Sequence, residues 1–115
     1  MIAKIAIPWM PSLLVNQAYK NNDMKKGRTP ACSMAMQMII MMMRPEVGYN
    51  WRWNGKRVCV KITLWNHASA DPDGLTKSID DALEIALRVD DKYFDTNAIG
   101  GKDDGECRIE IELSY

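Results

Sequence analysis

The chain has 115 residues, 47% apolar and 26% charged, with 15 cations balanced by 15 acids. That length has room for one domain, near the size at which a subunit partner often completes the core, and its richness in Leu, Ile, Val and Met excludes a disordered tail. Zero net charge argues against a simple nucleic-acid coat, but the charges are segregated: ten cations and two acids precede Asp71, five cations and thirteen acids follow from it, +8 against −8. A basic half joined to an acidic half suits two arrangements. One half holds a polyanion and the other a cation, or the halves attract each other within the fold or across a dimer.

In chain order, residues 2–7 run or alternate apolar and stop at Pro8, as a strand does. The "PWMPS" stretch is then a rigid exit, since each proline fixes φ and removes a donor. "NQAYKNNDMKKGRTP" reads as a mobile basic loop, suited to phosphate contacts or simply solvated. Its apolar neighbour, "MIAKIAIPWMPSLLV", is broken by prolines and lacks a cleavage site, so no signal peptide is expected.

Residues 31–44 favour a helix that should stop before Pro45. It is apolar almost all round and too short and polar to span a bilayer, so burial on all sides, most easily by dimerisation, is expected. Asn54-Gly55 is the strongest short hairpin signal, leading into a strand whose Val58, Val60, Ile62 and Leu64 alternate with Cys59, Lys61, Thr63 and Trp65. Trp51 and Trp53 beside Arg52, Lys56 and Arg57 suit stacking on unpaired or distorted bases, or a cross-strand aromatic cluster with ordinary surface charges, the commoner arrangement. Leu75, Ile79, Ala82, Leu83, Ala86 and Leu87 recur at helical spacing, and residues 92–99 and 108–113 read as a terminal hairpin around "GGKDDGE". The total is a mixed α/β (α+β) layer protein, one domain over residues 1–115. Cys32, Cys59 and Cys107 are odd in number and far apart, with only His67 to complement them, which argues against a zinc site or disulfide framework.

"DPDG" at 71–74 is locally a turn, with Asp73 placed to cap the following helix. Three features point beyond a turn. Asp71 and Asp73 stand two apart at the end of a strand segment, Lys77 follows Asp73 by four, and "VDD" returns Asp90 and Asp91 after the helix. Carboxylates converging from two elements repel unless a cation lies between them, and hard oxygen donors select Mg2+ or Mn2+. An EF-hand loop is excluded, because the glycine falls too early and the twelfth position is Ala82. A sugar-nucleotide transferase D-x-D belongs to a much larger domain.

Taken in order, Pro8-Trp9-Met10-Pro11-Ser12, Gly27-Arg28-Thr29, Asp71-Pro72-Asp73-Gly74-Leu75-Thr76-Lys77, Asp81-Ala82-Leu83 and Asp90-Asp91 resemble the RusA family of Holliday-junction resolvases. The resemblance runs along nearly the whole chain, and the D-x-D to D-D block is its specific part. It implies a mixed sheet with two main helices in an intertwined homodimer, acting as an endonuclease that resolves four-way DNA junctions by paired nicks. Carried over by position, the metal ligands are Asp71, Asp73 and Asp91, the catalytic lysine is Lys77, and Asp81 and Asp90 are supporting residues. The DNA contacts expected are Lys25, Lys26, Arg28, Arg52, Lys56 and Arg57. Mg2+ is the implied ion, with Mn2+ as a substitute. The setting implied is the bacterial cytoplasm, with the gene cellular or carried by a phage or prophage, and no membrane is involved. Gly74 departs from the family's usual asparagine, and Ala70 stands where a basic residue often precedes the first aspartate. A branched-DNA-binding protein without activity and a structural dimer with a solvated acidic face remain alternatives.

Overall fold

Four strands and two helices make up the frame: β1 (Ile2–Pro8), α1 (Pro30–Val47), β2 (Val58–Trp65), α2 (Thr76–Leu87), β3 (Phe94–Gly100) and β4 (Arg108–Ser114). This computed structural model describes residues 1–66, 70–101 and 105–115. His67, and the Lys102, Asp103 and Asp104 of "GGKDDGE", lie outside the described residues.

The sheet order is β1-β4-β2-β3, with β4 antiparallel to both neighbours and β2 parallel to β3. The mixed α+β architecture is therefore as the pattern implied, but the terminal hairpin is not formed. β4 inserts between β1 and β2, burying Ile109, Ile111 and Leu113 on one face. β3 instead follows β2 by a parallel crossover through α2, and takes the sheet edge with Asp95 and Asn97 exposed.

That insertion also decides the fate of Asn54-Gly55. Both edges of β2 are taken, by β4 and β3, so residues 50–57 have no free edge to join and form no strand. The turn itself remains: Lys56 N donates to Asn54 Oδ1 at 3.0 Å and Gly55 takes φ +83°. Trp53 packs on Tyr93 at 4.5 Å between ring centroids and donates Nε1–H to the Lys56 carbonyl at 2.7 Å, while Trp51 meets Tyr115 edge-on at 5.4 Å. The two rings are used inside the fold.

α1 begins at Pro30, with the Thr29 side chain accepting from Cys32 N at 3.1 Å, and runs past Pro45 to Val47. Proline there costs one hydrogen bond, and the last turn still closes through Gly48 N to Arg44 O at 3.0 Å. Its inner stripe, Cys32, Ala35, Met36, Ile39, Ile40 and Met43, is buried by the chain itself. The opposite face is open, with Met34 74% and Met41 66% exposed. Within the chain, then, the helix is covered on one side only.

Between β1 and α1, the expected loop closes on itself. Thr29 N bonds Ala18 O at 2.8 Å, Lys20 N bonds Gly27 O at 3.0 Å, and Ala18 and Tyr19 are buried. Ion pairs join the basic and acidic halves directly: Lys4 to Glu110 at 3.4 Å, Arg57 to Asp95 at 2.8 Å, and Arg28 to Asp81. Among the described residues, no helix is long and apolar enough to cross a membrane.

Candidate functional site

The acidic face is set by what α2 buries. Leu75, Ile79, Ala82 and Leu83 are fully buried, which fixes the rotation of the helix and leaves Lys77, Asp81 and Glu84 on its outer side. A 3-10 turn, Pro72–Leu75, leads into the helix, and Asp71 caps that turn by accepting from Asp73 N at 3.1 Å. Asp73 therefore does not cap α2, whose first turn has no side-chain cap. Asp71 and Asp73 lie in the turn, not on a strand, and both are exposed. Lys77 pairs with Asp81, its Nζ 3.7 Å from Oδ2, in place of the expected Asp73.

At its far end α2 stops at Arg88, whose left-handed φ of 57° reverses the chain. Val89 is buried, and Asp90 caps the following turn, Asp91–Tyr93, by accepting from Lys92 N at 3.1 Å. The return sets Asp91 beside α2. One carboxylate oxygen each from Asp81, Glu84 and Asp91 lie within 4.8 Å of one another. Asp71 and Asp73 are not in this group. Asp71 precedes α2, whereas Glu84 lies eight residues beyond Thr76, about 12 Å further along the axis at the helical rise.

Electrostatics around this group are strained. Burial pushes the Asp80 carboxyl up to about 6, against the pull of a 2.8 Å hydrogen bond from Thr96 Oγ1, and the charges of Asp91 and Asp81 add to the rise. Glu84 is likewise raised, first by desolvation and then by Asp91 and Asp90. Asp81 is compensated by Arg28 and Lys77.

Asp71 opens onto a separate cleft of about 550 Å3, shared with Trp9, Pro11, Asn16, Ala70 and Gly74. A hydrogen bond from Val15 N to Gly74 O, 2.9 Å, closes its floor. Thus "PWMPS" and "DPDG", far apart in sequence, meet at one cleft. Gly74 is tight there: a Cβ would stand 3.2 Å from Leu14 Cδ2.

The six expected DNA contacts divide. Lys25, Lys26, Arg52 and Lys56 are exposed. Arg57 is bound in a fork to Asp95, at 2.9 and 2.8 Å. Arg28 is turned inward onto Asp81, Ser78 and Cys32. Sequence reading missed Glu84 and Asp80. The i, i+3 spacing of Asp81 and Glu84 could have signalled the first. Asp80 matters through Thr96 on a distant strand, which leaves no local signal.

No known protein-family model matches this chain, and no curated protein matches it.

Proposed function

We propose that the chain is a metal-dependent endonuclease of the RusA type that nicks four-way DNA junctions as a homodimer, with Mg2+ or Mn2+ as its ion. The observation that supports this reading is the meeting of Asp81, Glu84 and Asp91 from two elements, with Lys77 one helical turn away. The donors fit the ion: all are hard carboxylate oxygens, and the charges of Asp81 and Asp91, which add to the rise that burial begins at Asp80 and Glu84, are ones a divalent cation would offset. Asp91 is common to this group and to the set Asp71, Asp73 and Asp91 that the resemblance implies.

Asp81, Glu84 and Asp91 would hold the ion, which when bound supplies an acidified water and charge neutralisation at the phosphate. Arg28 orients Asp81 from behind, fixing one donor before any ligand arrives. Lys77 keeps 45% of its side chain exposed, so its ammonium can leave Asp81 and offset charge developing on the scissile phosphate. Trp9 and Asp71 give the neighbouring cleft an apolar wall and an acidic rim. A two-fold dimer matches the two-fold symmetry of a junction, and Met34 and Met41 supply exposed apolar surface for it. The reading places the protein in the bacterial cytoplasm, from a cellular or phage gene.

Cleavage of a synthetic four-way junction in Mg2+ tests it, with linear duplex as control. Asp91→Asn should lower the rate about 100-fold or more, beyond what loss of a supporting residue costs. Undiminished cutting by Asp91→Asn, or no cutting by the native chain, removes the site. Asp71 and Asp73 lying outside the acidic group favour a second reading, a branched-DNA binder without activity, for which tight junction binding without nicks is the signature.

A further inference from the structure

Arg44, Arg52 and Arg88 line one pocket of about 130 Å3 between the C-terminal ends of α1 and α2, beside Tyr49 and Trp51. The chain's six arginines fall into two sets. Arg28, Arg57 and Arg108 each meet a carboxylate, from Asp81, Asp95 and Glu110. Among the described residues, Arg44, Arg52 and Arg88 meet none, and the pocket has no acidic lining residue.

The nearby helix ends account for part of this. Arg44 sits in the last turn of α1 and Arg88 at the C-cap of α2, where cations complement the dipole. Each helix end carries roughly half a negative charge, so two ends offset about one of the three guanidinium charges and leave about two uncompensated. Arg88 also takes φ 57° and ψ 43°, a left-handed conformation that glycine or asparagine fills with less strain. An arginine therefore occupies this cap against its backbone preference, and it lines the pocket.

Size narrows the ligand. The pocket is far below the roughly 300–1,000 Å3 that encloses a drug-sized molecule, so a single tetrahedral anion enters and the rest of its carrier stays outside. Guanidinium forks match phosphate oxygens two at a time. Tyr49, 76% exposed at the rim, offers a ring to whatever extends from the phosphate. We infer that this pocket binds a phosphate group. Its source is either a DNA backbone phosphodiester, which rests on the nuclease reading above, or free phosphate, which does not.

Inorganic phosphate, titrated into the full chain at constant ionic strength with amide resonances followed, tests the pocket itself. Saturable shifts are expected at Gly48, Tyr49 and Arg88. They should vanish in Arg44→Gln/Arg52→Gln/Arg88→Gln and survive, weakened, in the matching lysine variant. No saturation, or saturation unchanged in the glutamine variant, overturns the pocket. Should that triple variant unfold, Arg52→Gln alone, at an exposed coil position, repeats the comparison. Four-way junction binding in EDTA then separates the sources. For the DNA source, the glutamine variant lowers the slope of log K against log salt by about 0.9 for one lost phosphate contact. An unchanged slope with the phosphate shifts intact assigns free phosphate. A native chain without junction affinity defeats the nuclease reading while the phosphate result stands.

Discussion

Arg28 donates a 2.7 Å hydrogen bond to the Ser78 hydroxyl, fifty residues away, and so ties the segment before α1 to α2. The same guanidinium pairs with Asp81 and lies over the Tyr19 ring at 4.9 Å. Ser78 is 1% exposed. Arg28→Ala leaves that hydroxyl only its longer contact with Cys32 Sγ, 3.7 Å, and removes one of the two cations on Asp81, so it should destabilise the fold by about 2 kcal/mol. Urea unfolding should show a lower midpoint at unchanged slope. Junction affinity, corrected for the folded fraction, should hold. Unchanged stability with lower affinity would restore Arg28 to the DNA-contacting role that the sequence implied.

Asp80 predicts a pH dependence. Its folded-state value of about 6 lies above the ordinary 3.8, so the native state holds this proton more tightly than the unfolded chain. Stability therefore falls as pH rises from about 4 to about 6, and the full loss is present above that window. The unscreened shift corresponds to about 3 kcal/mol, and partial exposure reduces this to about 1–2 kcal/mol. Asp80→Asn can still accept from Thr96 and carries no charge. In EDTA it should raise the melting temperature at pH 7 and leave it nearly unchanged at pH 4. A native chain whose stability rises from pH 4 to 6 because of Asp80 would contradict the assignment.

Much of this was legible locally, and the reason is burial. Ile5, Ile7, Val60, Ile62, Ile109 and Ile111 alternate because each strand hides one face, and α2 reads as a helix because Leu75, Ile79 and Leu83 share one side. What escaped depends on distant competition. Nothing near Asn54-Gly55 reveals that β4 will occupy the strand edge a hairpin needs. The return of Asp91 towards α2 was readable from the helix length. Asp81 was named only as a supporting residue and Glu84 was missed, because their meeting with Asp91 depends on helix rotation and on Arg88 reversing the chain in a left-handed conformation.

Gly74 offers a narrower test. Its φ is outside the left-handed region, so only space restricts it: a Cβ meets Leu14 Cδ2 at 3.2 Å, the mobile end of a half-buried side chain. Gly74→Asn, which restores the family's usual residue, should cost no more than about 1 kcal/mol as Leu14 shifts. A thermal melt reads this directly. A loss of several kcal/mol would show that the Val15–Gly74 floor of the cleft cannot yield.

The acidic group makes a prediction whose sign reverses with metal. In EDTA, desolvation and then the charges of Asp91, Asp90 and Asp81 raise the Glu84 carboxyl, against one backbone hydrogen bond from Asp91, so Glu84→Gln should raise the melting temperature at pH 7. With Mg2+ or Mn2+ present, an ion bound only by the folded chain stabilises it by mass action. The native melting temperature should then rise with metal concentration, while Glu84→Gln and Asp91→Asn respond weakly or not at all. Native and Glu84→Gln curves should therefore cross as metal is added. A response lost in Asp71→Asn and Asp73→Asn but kept in Glu84→Gln would move the ion from the face of α2 to the preceding turn. Parallel curves for all variants would mean that the carboxylates are a solvated face, since a ligand that favours no state shifts none.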